Sequence, residues 1–105
     1  MTYGEKRVMH DIMTALSKAG WKPTYTDATD DDTYVKVRSI KAAIESVDTV
    51  DMATVTFSKK GCNNMGILFV LGNDPSGCEV ASDWNVNDHN DFDKILSSVN
   101  TEAYA

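Results

Sequence analysis

Cysteine is scarce in this sequence: Cys62 and Cys78 are the whole thiol inventory of 105 residues. Two thiols are too few for a disulfide scaffold. A hairpin built from residues 65 to 72 and 78 to 83 would set them at opposite ends of its ladder, about 15 to 20 Å apart at ~3.3 Å per residue. Two free thiols are therefore expected, Cys78 in the sheet and Cys62 at a turn. Long apolar runs are also missing. The strongest, "GILFVLG" at 66 to 72, falls far short of the ~20 residues of a membrane span. Histidine is limited to His10 and His89, and neither has a second Cys or His at ligand spacing, which excludes a zinc centre of ordinary pattern. The N-terminal residues carry Glu5, Lys6, Arg7, His10 and Asp11 where an export signal needs an apolar core, so the cytoplasm is the expected compartment.

Positive charge is missing from one half of the chain. Residues 1 to 60 hold nine acids and nine bases, whereas residues 61 to 105 hold seven acids against Lys94 alone. The whole excess of -6 lies there. Such a field disfavours direct contact with a phosphate backbone; it is compatible with a basic protein or nucleoprotein surface as partner, and equally describes a solvated acidic surface.

What is present reads as one globular domain, residues 1 to 105, of α+β class. The expected order is α-β-β-α-β-β-β-α, with an antiparallel sheet and about three helices. Val8, Met9, Ile12, Met13 and Leu16 recur at helical intervals. Thr2 and Glu5 have capping-box spacing, Gly20 supplies a left-handed stop and Pro23 prevents continuation, which gives a helix over about 3 to 19. "TYTD" (24 to 27) and "TYVKV" (33 to 37) read as paired strands around a polar turn. In "SIKAAIESV", Ser39 is the expected N-cap and Ile40, Ala43, Ile44 and Val47 the apolar face. "MATVTFS" (52 to 58) alternates strictly, with Ala53, Val55 and Phe57 on one side. "MGILFVLG" is apolar on both faces, as a strand covered on both sides would be. "CEVASDW" completes a meander with the two strands before it.

The stretch "SDWNVNDHNDFD" (82 to 93) is the densest in chemistry. Read from Asp83 as a calcium loop, it puts Asp88 where glycine is needed and Lys94 where a bidentate glutamate is needed, so that reading fails. Helix initiation explains more of it. Phe92, Ile95, Leu96 and Val99 trace one face of a last helix, Asp88 or Asn90 caps it, and Asp91 and Asp93 sit where the helix dipole favours negative charge. Alternation along the preceding strand groups Trp84 with Val80 and Ser82, away from Ala81 and Asp83. Trp84 either covers the end of the core or is an aromatic anchor among acids, and Tyr25, Tyr34 and Tyr104 are candidates for the same face. The acids Asp30, Asp31 and Asp32 follow Asp27 at an expected hairpin tip.

No phosphate loop or dinucleotide fingerprint is present, and no local signature joins either cysteine to a histidine base. The expected activity is therefore non-enzymatic, without metal or cofactor. The candidate partner-binding residues are Asp83, Trp84, Asp88, Asp91 and Asp93, with Asp30, Asp31 and Asp32. The alternative is a self-associating accessory domain that forms a homodimer.

Residues 50 to 84, "VDMATVTFSKKG...GILFVLGNDPSGCEVASDW", resemble small uncharacterised proteins encoded by phages and prophages. The strand-turn "FVLGND" and the strand after it carry the resemblance, over about a third of the chain. It implies an accessory protein that blocks a host protein in the host cytoplasm, as anti-CRISPR proteins and other anti-defence inhibitors do. It transfers no site residue.

Overall fold

The computed structural model describes residues 3–28, 33–48, 50–71, 81–85 and 90–99. The element order is α1 (Tyr3–Lys18), β1 (Lys22–Ala28), β2 (Thr33–Lys36), α2 (Ile40–Ser46), β3 (Met52–Ser58), β4 (Met65–Val70), β5 (Ala81–Trp84) and α3 (Phe92–Ser98). This is the expected α+β order.

Local chemistry accounts for the boundaries. At the end of α1 the Trp21 amide donates to the Leu16 carbonyl at 2.9 Å and the Gly20 amide to Ser17 at 3.0 Å. That double closure needs a residue in the left-handed region, and Gly20 has φ 98°. The motif turns the chain sharply and delivers Trp21 into the core, where it is fully buried. Glu5, in the first turn, is buried too, while its expected capping partner Thr2 lies outside the described residues. Ser39 caps α2 by accepting the Ala42 amide at 3.0 Å.

The five strands form one antiparallel sheet in the order β2-β1-β3-β4-β5. β2 and β3 flank β1 and so run parallel to each other. Their connection must cross over β1, and α2 is that crossover. Pro23 is tolerated in β1 because it lies beyond the reach of β2, which pairs only with Tyr25–Ala28, and beside a bulge at Thr24.

All three helices pack on one side. Val8, Met9, Ile12, Met13 and Leu16 of α1 meet Val55 and Phe57 of β3 and Ile67 and Phe69 of β4 in one apolar cluster, closed by Phe92 and Leu96 of α3. The Thr26 and Ser46 hydroxyls, 2.8 Å apart, tie α2 to the same side of β1. The extents of 34 × 32 × 20 Å fit one sheet under one helical layer.

The double-sided burial expected for β4 is not found. Met65, Ile67 and Phe69 are buried, but Gly66, Leu68 and Val70 are only half-buried. With helices of 16, 7 and 7 residues, the described chain has enough helix for one sheet face. Among the described residues nothing covers the other, and no helix is long and apolar enough to cross a membrane.

Candidate functional site: the uncovered sheet face

Register assigns the side chains of the uncovered face. Tyr34 pairs with Asp27, Asp27 with Thr54, Thr54 with Leu68 and Leu68 with Asp83. Directly opposed residues share a face, so these five make one row across all five strands. Beside it runs a second row, Lys36, Tyr25, Thr56 and Gly66, with Asn85 at its end. Met52 and Val70 form a third pair. The Tyr25 and Tyr34 rings lie diagonally, 4.7 Å between centroids and tilted by 34°. Tyr34 is 63% exposed and Met52 36%, both unusually open for large apolar groups. The face is thus aromatic with one cation, Lys36, at the β2 edge, small and largely polar at the centre and acidic at the β5 edge.

The other expected site residues are placed differently. A bulge at Ser82 sets Trp84 opposite Ile67 and Ala81 opposite Phe69. Trp84 therefore shares the helical side with Ala81, contrary to simple alternation, and points away from Asp83. One extra residue reverses the face of everything on one side of it. The indole N–H of Trp84 donates to Asp93 Oδ1 at 2.7 Å. Trp84 is packed against the core rather than standing clear of it.

Asp91 has the most connected carboxylate in the stretch. Trp21 Nε1–H donates to its Oδ1 at 2.9 Å, and Lys59 Nζ lies 3.4 Å from both oxygens. The same ammonium sits 5.8 Å from the Trp21 ring centroid, and Phe92 meets that ring edge-on at 5.0 Å. Asp91 holds the N-cap position of α3 without capping it. The N-cap is thus neither Asp88 nor Asn90 as expected; Asn90, one residue earlier, accepts the Phe92 amide with its Oδ1 at 3.0 Å. Asp91 and Asp93 thus fasten the two sides of α3, to Trp21 with Lys59 and to Trp84. A base from the first half of the chain offsets Asp91, so the negative field projected from this end is weaker than the sequence implies. Of the described candidate acids in this stretch, Asp83 is the one on the far face of the sheet. Asp30, Asp31, Asp32 and Asp88 lie outside the described residues, as do Cys78, His89 and Tyr104.

The Trp21 hydrogen bond, then the Lys59 charge, hold the Asp91 carboxyl below its ordinary range against a raising effect of partial burial. The unfolded chain therefore binds this proton at higher pH than the folded one, and stability rises with pH through that window. Asp91→Asn keeps an oxygen for Trp21 and removes the charge. The stability difference between wild type and D91N, read by urea denaturation, is expected to be full above about pH 5 and to shrink as pH falls below about 4. A difference independent of pH would show that the carboxylate charge contributes nothing.

A second concavity, of about 570 Å³, lies between α1 and α2 and includes Tyr3, Lys6, His10, Lys41, Ile44 and Glu45 in its lining. Its charges answer one another locally. Lys6 lies 3.4 Å from Asp48, Lys41 4.0 Å from Glu45 and His10 3.9 Å from Asp11. Arg7 and Asp11 complete the lining. Among the described residues no three of His, Cys, Asp and Glu come together as metal ligands. Cys62 is a free thiol in the β3–β4 turn, packed against the core.

The sequence indicated Asp83, and it raised Tyr25 and Tyr34 as possible companions. It missed Asp27, Thr54 and Leu68 as members of one row. Period-two reading of β1, β3 and β4 yields each residue's face, but only the register of the pairs lines them up. Comparison with family models, with curated proteins and with solved structures found no match to this chain.

Proposed function

We propose that this chain is a non-enzymatic binding protein that docks its uncovered sheet face on a basic protein surface in the cytoplasm and acts by occupying it. The observation that carries this reading is the row Tyr34, Asp27, Thr54, Leu68 and Asp83. It sets two carboxylates three strands apart, about 14 Å at ~4.8 Å per strand, with Thr54 and Leu68 between them and Tyr34 beside Asp27. Among the described residues neither acid has a Lys, Arg or His partner. A flat, partly apolar face with acids at intervals suits a protein surface that presents lysine or arginine. The resemblance to phage accessory proteins suggests the form of the activity: an inhibitor that covers a basic, nucleic-acid-binding surface of a host defence protein.

The test compares immobilised wild type with Asp27→Lys/Asp83→Lys in bacterial lysate at about 0.05 and 0.5 M salt. Wild type is expected to retain a specific protein at low salt and lose most of it at high salt. The double variant should retain none, while Lys18→Glu, at the end of α1, behaves as wild type. Retention that survives both high salt and the double substitution contradicts the reading.

Self-association through the same face is the second reading, supported by the exposure of Tyr34 and Met52. The net charge of -6 on each copy opposes it. Light scattering decides: a dimer that Tyr34→Lys dissociates would favour it over the first reading.

A further inference from the structure

The uncovered face has a notch in it. Gly66 stands in the row of Lys36, Tyr25 and Thr56 but contributes no side chain. A depression of about 300 Å³ is left there, bounded by Thr54, Gly66, Leu68, Asp83, Trp84 and Asn85. Asn85 is fixed at its rim. Its Oδ1 accepts the Gly66 amide at 2.7 Å, and its own amide donates to the Gly66 carbonyl at 3.2 Å. A Cβ placed on Gly66 would lie 3.4 Å from Thr54 Cγ2 and 3.5 Å from Asn85 Oδ1, so even a methyl group would begin to fill the space.

We infer that this notch receives an arginine side chain of the partner, an assignment that rests on the docking reading and names the group recognised. The chemistry is divided as an arginine is. Thr54 Cγ2, Leu68 and the bare backbone of Gly66 offer apolar contact to its methylene stem. Asp83 and Asn85 Oδ1, with its second lone pair, offer acceptors to its head. A planar guanidinium with five donors can engage several at once and is weakly hydrated, whereas an ammonium is a compact, strongly hydrated point. Anions are disfavoured by the exposed Asp83 carboxylate, which has no cation beside it among the described residues.

The test is a titration of the ¹⁵N-labelled full chain with capped Gly-Arg-Gly, Gly-Lys-Gly and Gly-citrulline-Gly peptides, read on backbone amides. The arginine peptide is expected to give a saturable response confined to Gly66, Leu68, Asp83, Asn85 and their neighbours. The lysine peptide should bind at least about threefold more weakly, and the uncharged citrulline peptide should not saturate. Asp83→Asn should weaken the arginine response about tenfold, the size of one charge-assisted pair. Gly66→Val should abolish it with a dispersed spectrum retained, because Gly66 lies in a strand where a β-branched residue is at home. An equal response to citrulline, or an unchanged one in G66V, overturns the assignment. An absent arginine response beside partner retention that still depends on Asp27 and Asp83 overturns the notch alone; loss of both overturns the docking face as well.

Discussion

Lysine at position 67 is expected to unfold this protein, while lysine at position 68 leaves it folded. The two residues are adjacent and similar in size and polarity, and both lie in β4. Ile67 is fully buried in the cluster under the helices. An ammonium there would have no partner and no water, and an uncompensated buried charge costs about 3 to 5 kcal/mol, with the lost apolar packing added. Single domains of this size are stable by only about 5 to 15 kcal/mol. Leu68 is on the opposite side, half-buried between Thr54 and Asp83. A lysine there can lay its stem along the sheet and place its charge in water beside Asp83. Thermal denaturation followed by circular dichroism should show Ile67→Lys without a cooperative transition near room temperature. Leu68→Lys should melt within a few degrees of wild type, the shift expected for about 0.5 kcal/mol. Equal damage at both positions would mean that both sheet faces are covered.

Trp21→Ala is expected to produce the other large effect. Trp21 is the largest fully buried side chain and joins four parts of the structure. Its backbone closes α1, its ring meets Phe92 of α3, its N–H holds Asp91, and Lys59 lies over its face. Truncation leaves a cavity worth about 3 to 5 kcal/mol and removes the anchor of α3. Trp21→Phe separates these contributions, because it restores most of the volume while removing the indole donor and leaving Asp91 to Lys59. Urea denaturation should place W21F between wild type and W21A. In W21F the amides of α3 should also exchange faster relative to those of β3, since the helix has lost one of its fastenings while the sheet is intact. If W21F matched wild type in both respects, Trp21 would be a core filler and the bond to Asp91 incidental.

The sequence makes local features legible and non-local ones obscure. Leu16, Gly20 and Trp21 announce the end of α1 because the closing motif spans six residues. Ser39 announces α2 through a bond that reaches three residues. The period-two pattern of β3 is confined to one strand, and its expected bounds coincide with those found. Asp91 is the contrary case. Near Phe92 it looks like helix-starting charge, yet its partners are 70 and 32 residues away in sequence, and nothing close to it marks them. The bulge at Ser82 puts Ala81 on the same side as Trp84, where alternation separates them, and alternation has no means of revealing such a single residue. The one-sided burial of β4 was hidden for another reason. Ile67, Leu68, Phe69, Val70 and Leu71 are apolar without a break, and a run of that kind does not say which side lacks a helix. The small helical content was the available signal, since α2 and α3 have only two turns each.

Docking on the sheet requires that one of its faces be open to a partner. Relaxation of side-chain methyl signals by a soluble paramagnetic chelate measures this on the protein itself. The methyls of Met52, Leu68 and Val70 should broaden strongly as the chelate is added, while those of Val55 and Ile67, one residue away on the other side, remain sharp. Leu68 and Val70 methyls as protected as those of Ile67 would mean that the face is already occupied, and docking there would have no surface to use.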